Sequence, residues 1–173
     1  MPNGWKRLER KTVYRTPFLS VHEDTVDIGN GKIINDYSVV EKPSVVMVVA
    51  TTDTNELIVL NEYKYAIDET IPTLPAGHVK DGEDILEAGK RELLEETGFS
   101  SNDWQYITYF NEYPTKDMHK IHIVRAVNVS RTATEAHEET EVITWKLVPV
   151  DEAKAALGDW HSASVVAAIS IAL

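Results

Sequence analysis

The sequence predicts an α/β protein: a mixed sheet flanked by helices and preceded by a small antiparallel sheet. Three observations carry this expectation. Strand-like and helix-like segments are mixed without the regular alternation of a doubly wound nucleotide fold. From Thr12 to Glu41, apolar and polar side chains alternate and are interrupted by Gly29-Asn30-Gly31, a pattern of antiparallel hairpins. From Asp84 to Thr97 there is no proline, Leu86, Leu93 and Leu94 recur at roughly helical spacing, and Gly98 follows as a stop.

Two blocks follow in chain order. Residues 1-42 form an N-terminal antiparallel sheet. About 40 residues seldom bury enough apolar surface to be stable alone, so this block is expected to pack on the second block or on another subunit. Residues 43-173 form the second block. It opens with an apolar strand at Ser44 to Thr51, a turn at Asp53-Thr54-Asn55 and a strand at Glu56 to Tyr65. After the helix, strands are expected near Trp104 to Tyr113, Lys120 to Asn128 and Val142 to Val148, then helices near Asp151 to Leu157 and Ser162 to Leu173.

A chain of 173 residues, 43% apolar and 26% charged, has the size and composition of one well-cored domain with a small appendage. The apolar stretches VVMVVA and SVVAAISIAL are too short to span a bilayer, and MPNGWKRLER lacks the apolar centre of a signal peptide, so a cytoplasmic protein without a membrane partner is expected. The chain has no cysteine, which excludes disulfides, thiolate metal sites and cysteine nucleophiles and leaves carboxylates and histidines for any chemistry. A net charge of -11 argues against a nucleic-acid surface, because duplex binding rests on neutralising phosphates with Lys and Arg. Small phosphorylated substrates carried on a metal stay open.

The chemistry concentrates in GHVKDGEDILEAGKRELLEETGF, residues 77 to 99. At about 100° per residue, Glu92, Glu95 and Glu96 fall within an arc of roughly 100° and share one helix face. Like charges so placed destabilise a helix by about 0.2 to 0.5 kcal/mol per pair, and a divalent cation such as Mg²⁺ or Mn²⁺ offsets them with hard oxygen ligands. The same side one turn earlier carries only Ala88 and Gly89, so the surface beside the carboxylates is expected to be open. A cluster of three glutamates in an acidic chain is usually a solvated helix face. The spacing overrides that reading. Gly77, Glu83, Arg91, Glu92, Leu93, Glu95, Glu96, Gly98 and Phe99 match G-x5-E-x7-R-E-U-x-E-E-x-G-U, with U a bulky apolar residue. Chance agreement at the seven invariant positions is on the order of one in 10⁸.

This pattern resembles the Nudix box, and the resemblance implies an α/β/α sandwich with a mixed sheet. Nearly the whole chain is similar to the ADP-ribose pyrophosphatase (ADP-sugar pyrophosphatase) group of Nudix hydrolases. Three features carry that similarity: the N-terminal VYRTPFLSVHEDTVDIGNGKIINDYSVVEKPSVVMVVA, the LPAG at Leu74 to Gly77, and Pro114, sixteen residues after Gly98. The resemblance implies a homodimer that packs or exchanges its N-terminal sheets to complete the substrate site.

Hydrolysis of a diphosphate needs an activated water, an offset to oxyanion charge and positioned phosphates, and bound Mg²⁺ contributes to all three. The resemblance assigns metal ligation to Glu92, Glu96 and the carbonyl of Ala76, with Glu95 sometimes joining. Arg91 is expected to hold the acidic side chains, and Glu83 to meet that arginine. Gly77 reads as a sharp turn and Gly98 as a left-handed C-cap. The group's general base is a glutamate in a loop well after the box. Glu139 in EAHEETE is the candidate, with Glu138 and Glu141 as alternates. His119, His122 and His137 are further candidates for base or ligand, although His119 and His122 are an odd number apart on an expected strand and so face opposite sides.

For substrate binding, Lys64 stands where the group often has an arginine, and Pro114 marks the substrate loop. Thr73 replaces a customary glutamate, and TKDMHKIH from Thr115 to His122 replaces a longer segment. The expected activity is Mg²⁺-dependent cleavage of a nucleoside diphosphate sugar, with ADP-ribose giving AMP and ribose 5-phosphate. The alternatives are hydrolysis of a dinucleoside polyphosphate or an oxidised nucleoside triphosphate, or a non-catalytic nucleotide-binding Nudix module.

Overall fold

A computed structural model describes residues 4–136 and 143–173. The chain divides into two compact units, Met1–Ser44 with Asn111–Lys120, and Val45–Phe110 with Ile121–Leu173.

The first unit is an antiparallel sheet in the order β1 (Lys6–Arg15), β2 (Ser20–Gly29) and β3 (Lys32–Glu41). The β2–β3 hairpin turns at Gly29-Asn30-Gly31, where all three residues have positive φ and the Asp27 carboxylate accepts the Gly29 N–H at 2.8 Å. β1 begins six residues earlier than the alternation implied, because KRLERK is charged and lies on an exposed edge. The buried positions of β2 include two that are polar. Asp24 holds the Arg10 guanidinium with two 2.8 Å bonds, and His22 sits between Thr12 Oγ1 at 3.0 Å and Glu41 Oε2 at 2.9 Å. A core made this way is satisfied but gains little from apolar burial.

Asn111–Lys120 docks on β3. Val40 N–H donates to Lys116 O at 2.7 Å, Met118 N–H donates to Val40 O at 2.9 Å, and Tyr37 OH donates to Thr115 O at 2.6 Å. The Lys116 ammonium lies 3.6 Å from the Tyr37 ring centroid, and Lys42 pairs with Asp117 at 2.5 Å.

The second unit has a seven-stranded mixed sheet. Its path runs β12 (Ile143–Pro149), β5 (Glu56–Lys64), β4 (Val45–Thr51), β10 (Ile121–Val127), β9 (Asp103–Phe110), with β6 (Glu69–Thr73) on β5 and β7 (Ala76–His78) on β4. β10 and β4 are parallel and the other pairs antiparallel. β8 (Phe99–Ser100) and β11 (Ser130–Arg131) form a two-residue ladder. Sequence periodicity misses β6 and β7: β6 contains Pro72, and β7 is three residues long with a central glycine. β9 ends at Phe110 rather than Tyr113, because the chain there enters the first unit.

Alternation along β4 separates two cores. Val46, Val48 and Ala50 face α1 (Ile85–Thr97) together with Ile58, Leu60, Leu93, Val124 and Ala126. Met47 and Val49 face the other side with Leu57, Val59 and Ile123, under α2 (Val150–Ala155) and α3 (Ala163–Ala172). Helices on both faces of a mixed sheet are the expected α/β/α sandwich. Among the described residues, no helix is long and apolar enough to cross a membrane.

α1 begins at its expected place because Asp84 caps it, accepting the N–H groups of Leu86 at 2.9 Å and Glu87 at 3.3 Å. Gly98 ends it at φ 72°, donating to Leu94 O at 2.9 Å. A Cβ at Gly98 would fall 2.2 Å from the backbone oxygen of Ala133, so Gly98→Ala joins an overlap to left-handed strain. The expected cost is at least about 2 kcal/mol in urea unfolding; a loss below half of that would mean the 133 segment yields freely.

Ala88 and Gly89 do not open a surface beside the glutamates as expected. Both are buried against the sheet, and a Cβ on Gly89 would lie 2.9 Å from Val124 Cγ2. The small side chains are needed for close helix–sheet packing.

Candidate active site

β7 and α1 together build the acidic site. β7 lies against β4 with Gly77 opposite Val46 and Ala76 opposite Met47. α1 turns Glu92 and Glu96 toward it, both buried, at 9% and 4% exposure. Ala76 N–H donates to Glu96 Oε2 at 3.0 Å. Above Gly77 there is no room for a side chain: a Cβ there would lie 2.1 Å from Glu92 Oε1. Gly77 has no positive φ, so it is not the sharp turn the sequence implied. It is glycine because the Glu92 carboxylate occupies the space of its side chain.

Arg91 organises the cluster. Its Nε and Nη2 each reach Glu83 at 2.9 Å, Nη1 reaches Glu92 at 2.6 Å and Glu95 at 3.2 Å, and Nη2 also donates to His78 O at 3.0 Å. Five contacts match the five donors of a guanidinium, so its orientation is fully determined. The tie to His78 O has no sequence signal, since a backbone carbonyl carries none. Glu83 also accepts the Lys80 N–H at 2.9 Å.

The hydrogen bonds from Arg91 are the main reason that Glu83 is held at about 2, against an ordinary 4.5; burial opposes this and the Lys80 N–H assists. The Arg91 guanidinium is shifted up in turn, first by Glu83 and then by Glu92 and Glu95. A carboxylate with a depressed folded-state pKa contributes stability that is present above its unfolded value and is lost as pH falls through the folded one. The acid limb of the stability curve should therefore fall between about pH 4.5 and 2, and Glu83→Gln should flatten it in urea unfolding across that range. An unchanged limb in the variant would show that the Arg91–Glu83 pair contributes nothing to acid stability.

The donor chemistry fits a hard divalent cation. Three carboxylates, Glu83, Glu92 and Glu95, gather beside one guanidinium, and a fourth, Glu96, follows on the same helix and accepts the Ala76 N–H; Glu92 and Glu96 are buried. Negative charge so placed is costly without a partner. Among the described residues, no three His, Asp or Glu side chains already converge on one point as a ligand set. Glu92 and Glu95 are turned onto Arg91 and Glu96 onto Ala76 N–H.

Ala76, Arg91, Glu92, Glu95 and Glu96 are thus brought together. Lys64 ends β5, opposite Glu69, and its Nζ pairs with Glu62 at 2.5 Å. Pro114 is exposed in the first unit. His137, Glu138, Glu139 and Glu141 lie outside the described residues. His119 precedes β10 rather than sharing a strand with His122, so the parity argument does not apply to it. Its Nδ1 is 2.7 Å from Pro43 O within the first unit.

The NUDIX domain family matches residues 41–169, and the nucleoside diphosphate sugar hydrolase N-terminal domain matches residues 5–40. The chain is 30% identical over 130 residues to an ADP-ribose pyrophosphatase of Bacillus subtilis, covering 72% of this chain and 70% of that protein. It is 26% identical over 149 residues to the methanol dehydrogenase activator of Bacillus methanolicus, covering 86% and 80%. A crystal structure of an ADP compounds hydrolase superposes with a TM-score of 0.85 at 25% identity, covering 97% of this chain and 91% of that one.

Proposed function

The chain belongs to the Nudix hydrolases, within the nucleoside diphosphate sugar group, and on that premise we propose that it hydrolyses the diphosphate of a nucleoside diphosphate sugar in a Mg²⁺-dependent reaction. ADP-ribose is the favoured substrate, and water added across its diphosphate gives AMP and ribose 5-phosphate. The observation that carries this reading is the buried Glu92–Glu96 pair beside Ala76, with Glu92 filling the space above Gly77.

Glu92, Glu96 and the Ala76 carbonyl would hold the cation, with Glu95 as a further ligand; Mn²⁺ suits the same oxygens. Bound there, the cation offsets phosphate charge and lowers the pKa of water. Arg91 fixes the carboxylates on one side while leaving Glu96 to its contact with β7. Lys64 and Pro114 are proposed on the substrate side. Glu139 is proposed as the general base that takes the proton of the attacking water, so Glu139→Gln should lower kcat by about 10². A rate close to wild type would move the role to Glu138 or Glu141.

We also propose a homodimer through residues 1-42 and a cytoplasmic location. The support is that Leu8, Val13, Tyr14 and Ile33 are about half exposed or more on a sheet whose β1 edge is unpaired among the described residues. The activity itself is tested by a screen with Mg²⁺ of ADP-ribose, other nucleotide sugars, dinucleoside polyphosphates and nucleoside triphosphates. A nucleotide sugar should give the highest kcat/KM; preference for a triphosphate or a dinucleoside polyphosphate overturns the substrate class.

A further inference from the structure

The strip Asn111–Lys120, which carries Pro114, is held on β3 unevenly. Its second half is fixed by backbone and buried contacts: Val40 bonds to Lys116 O and to Met118 N–H, Lys42 pairs with Asp117, and His119 Nδ1 lies 2.7 Å from Pro43 O. Its first half, Asn111–Thr115, is exposed throughout and runs into a turn in which the Lys116 and Asp117 N–H groups donate to Tyr113 O at 3.0 and 2.8 Å. Among the described residues, the one hydrogen bond that another element makes to Asn111–Thr115 comes from Tyr37, whose OH donates to Thr115 O at 2.6 Å. The same ring carries the Lys116 ammonium 3.6 Å from its centroid and meets Trp5 edge-on, with centroids 6.0 Å apart and planes at 83°. One β3 side chain, braced by Trp5, therefore holds both a carbonyl and a cation of this turn. Tyr113, 58% exposed, and Pro114 are left open to a ligand.

We propose that Tyr37 is a positioning residue, which acts through the strip by holding the Tyr113-Pro114-Thr115 turn in the form that binds the nucleotide sugar. This rests on the reading above that places Pro114 on the substrate side. A segment that is competent to bind for only part of the time weakens apparent affinity by that fraction. The hydroxyl bond and the cation–π contact of Tyr37 together shift the population of the held turn by about 10-fold. Their loss acts on the free protein and leaves the bound complex as it was, so the effect falls on KM and spares kcat. The same contacts also attach the strip to the sheet for stability alone, and the test separates these roles.

KM and kcat are measured with Mg²⁺ for the nucleotide sugar of highest kcat/KM, and amide exchange is followed at Lys116 and Asp117. The proteins are wild type, Tyr37→Leu, the ring-preserving Tyr37→Phe in case the leucine variant does not fold, and Val26→Ala. The last removes buried volume from β2 and none of the Tyr37 contacts. Tyr37→Leu should raise KM about 10-fold and Tyr37→Phe about 3-fold, with kcat within about twofold of wild type. Exchange at the two amides should quicken in the same order. Val26→Ala should lower the thermal midpoint and leave KM unchanged. An unchanged KM in Tyr37→Leu, or an equal rise in Val26→Ala, overturns the positioning role. If wild type turns over no nucleotide sugar, the proposed function fails instead, and exchange still decides whether Tyr37 holds the turn: equal protection in wild type and Tyr37→Leu overturns it.

Discussion

Glu96→Gln should reduce metal-dependent hydrolysis by about 10³-fold or more while the thermal midpoint stays close to that of wild type. The expectation of an intact fold comes from the hydrogen bond that Glu96 accepts from β7. Its Oε2 accepts the Ala76 N–H at 3.0 Å, and a glutamine carbonyl oxygen accepts the same bond. What the variant removes is charge. Glu96 is 4% exposed and stands beside Glu92, so the amide lowers the electrostatic cost of the unliganded site and weakens its hold on a cation. A slight gain in stability with lost Mg²⁺ affinity, read by melting with and without the metal, would be the clearest form of the result. Undiminished turnover would remove the metal-site assignment.

Gly77→Ala is the second large effect, and its pattern should be the reverse of a simple stability defect. The new Cβ would fall 2.1 Å from Glu92 Oε1 and 2.2 Å from Cδ, an overlap that one of the two must relieve. The carboxylate is the far end of a flexible side chain, and alanine is permitted at a position without positive φ, so the backbone need not move. Glu92 therefore swings away and its 2.6 Å bond to Arg91 Nη1 breaks. Displacing a reacting group by about 1 Å costs on the order of 10²-fold in rate. Kinetics and melting measured together decide the matter: a fall in kcat of that size with a nearly unchanged thermal midpoint supports the account, whereas full activity would show that Glu92 works from another position.

The contrast with Gly98 shows how much of the site was legible in the sequence. Both glycines stand at fixed positions in the box pattern, but only Gly98 has the left-handed conformation expected of it. The need for glycine at 77 arises from a residue fifteen positions away in the chain, brought over it by the packing of α1 on β7. Local rules succeed where the determinant is local. Asp84 and Gly98 delimit α1 because a cap depends on its own few backbone groups. They fail for β6 and β7, which exist only because β5 and β4 supply their hydrogen bonds. They fail as well for Ala88 and Gly89, where small side chains read as open space and are in fact buried against the sheet. The alternation of β4 between two cores was readable as an apolar run but not as a division between faces, because a strand covered on both sides has no polar positions to mark it.

The docking of Asn111–Lys120 onto β3 bears on how this protein can be rearranged by evolution or by engineering. A module that is continuous in sequence can be transplanted by one fusion joint. Here the N-terminal sheet shares its hydrogen bonds with a strip that the chain reaches only after building β4 through β9, so the module is written in two instalments. A chimera that replaces residues 1–44 alone would strand Lys116, Asp117 and His119 without the Tyr37 ring, the Lys42 ammonium and the Pro43 carbonyl that now receive them. Any viable exchange has to carry both instalments together, so homologous recombination at a single crossover is a poor route to new combinations of this sheet with other catalytic domains.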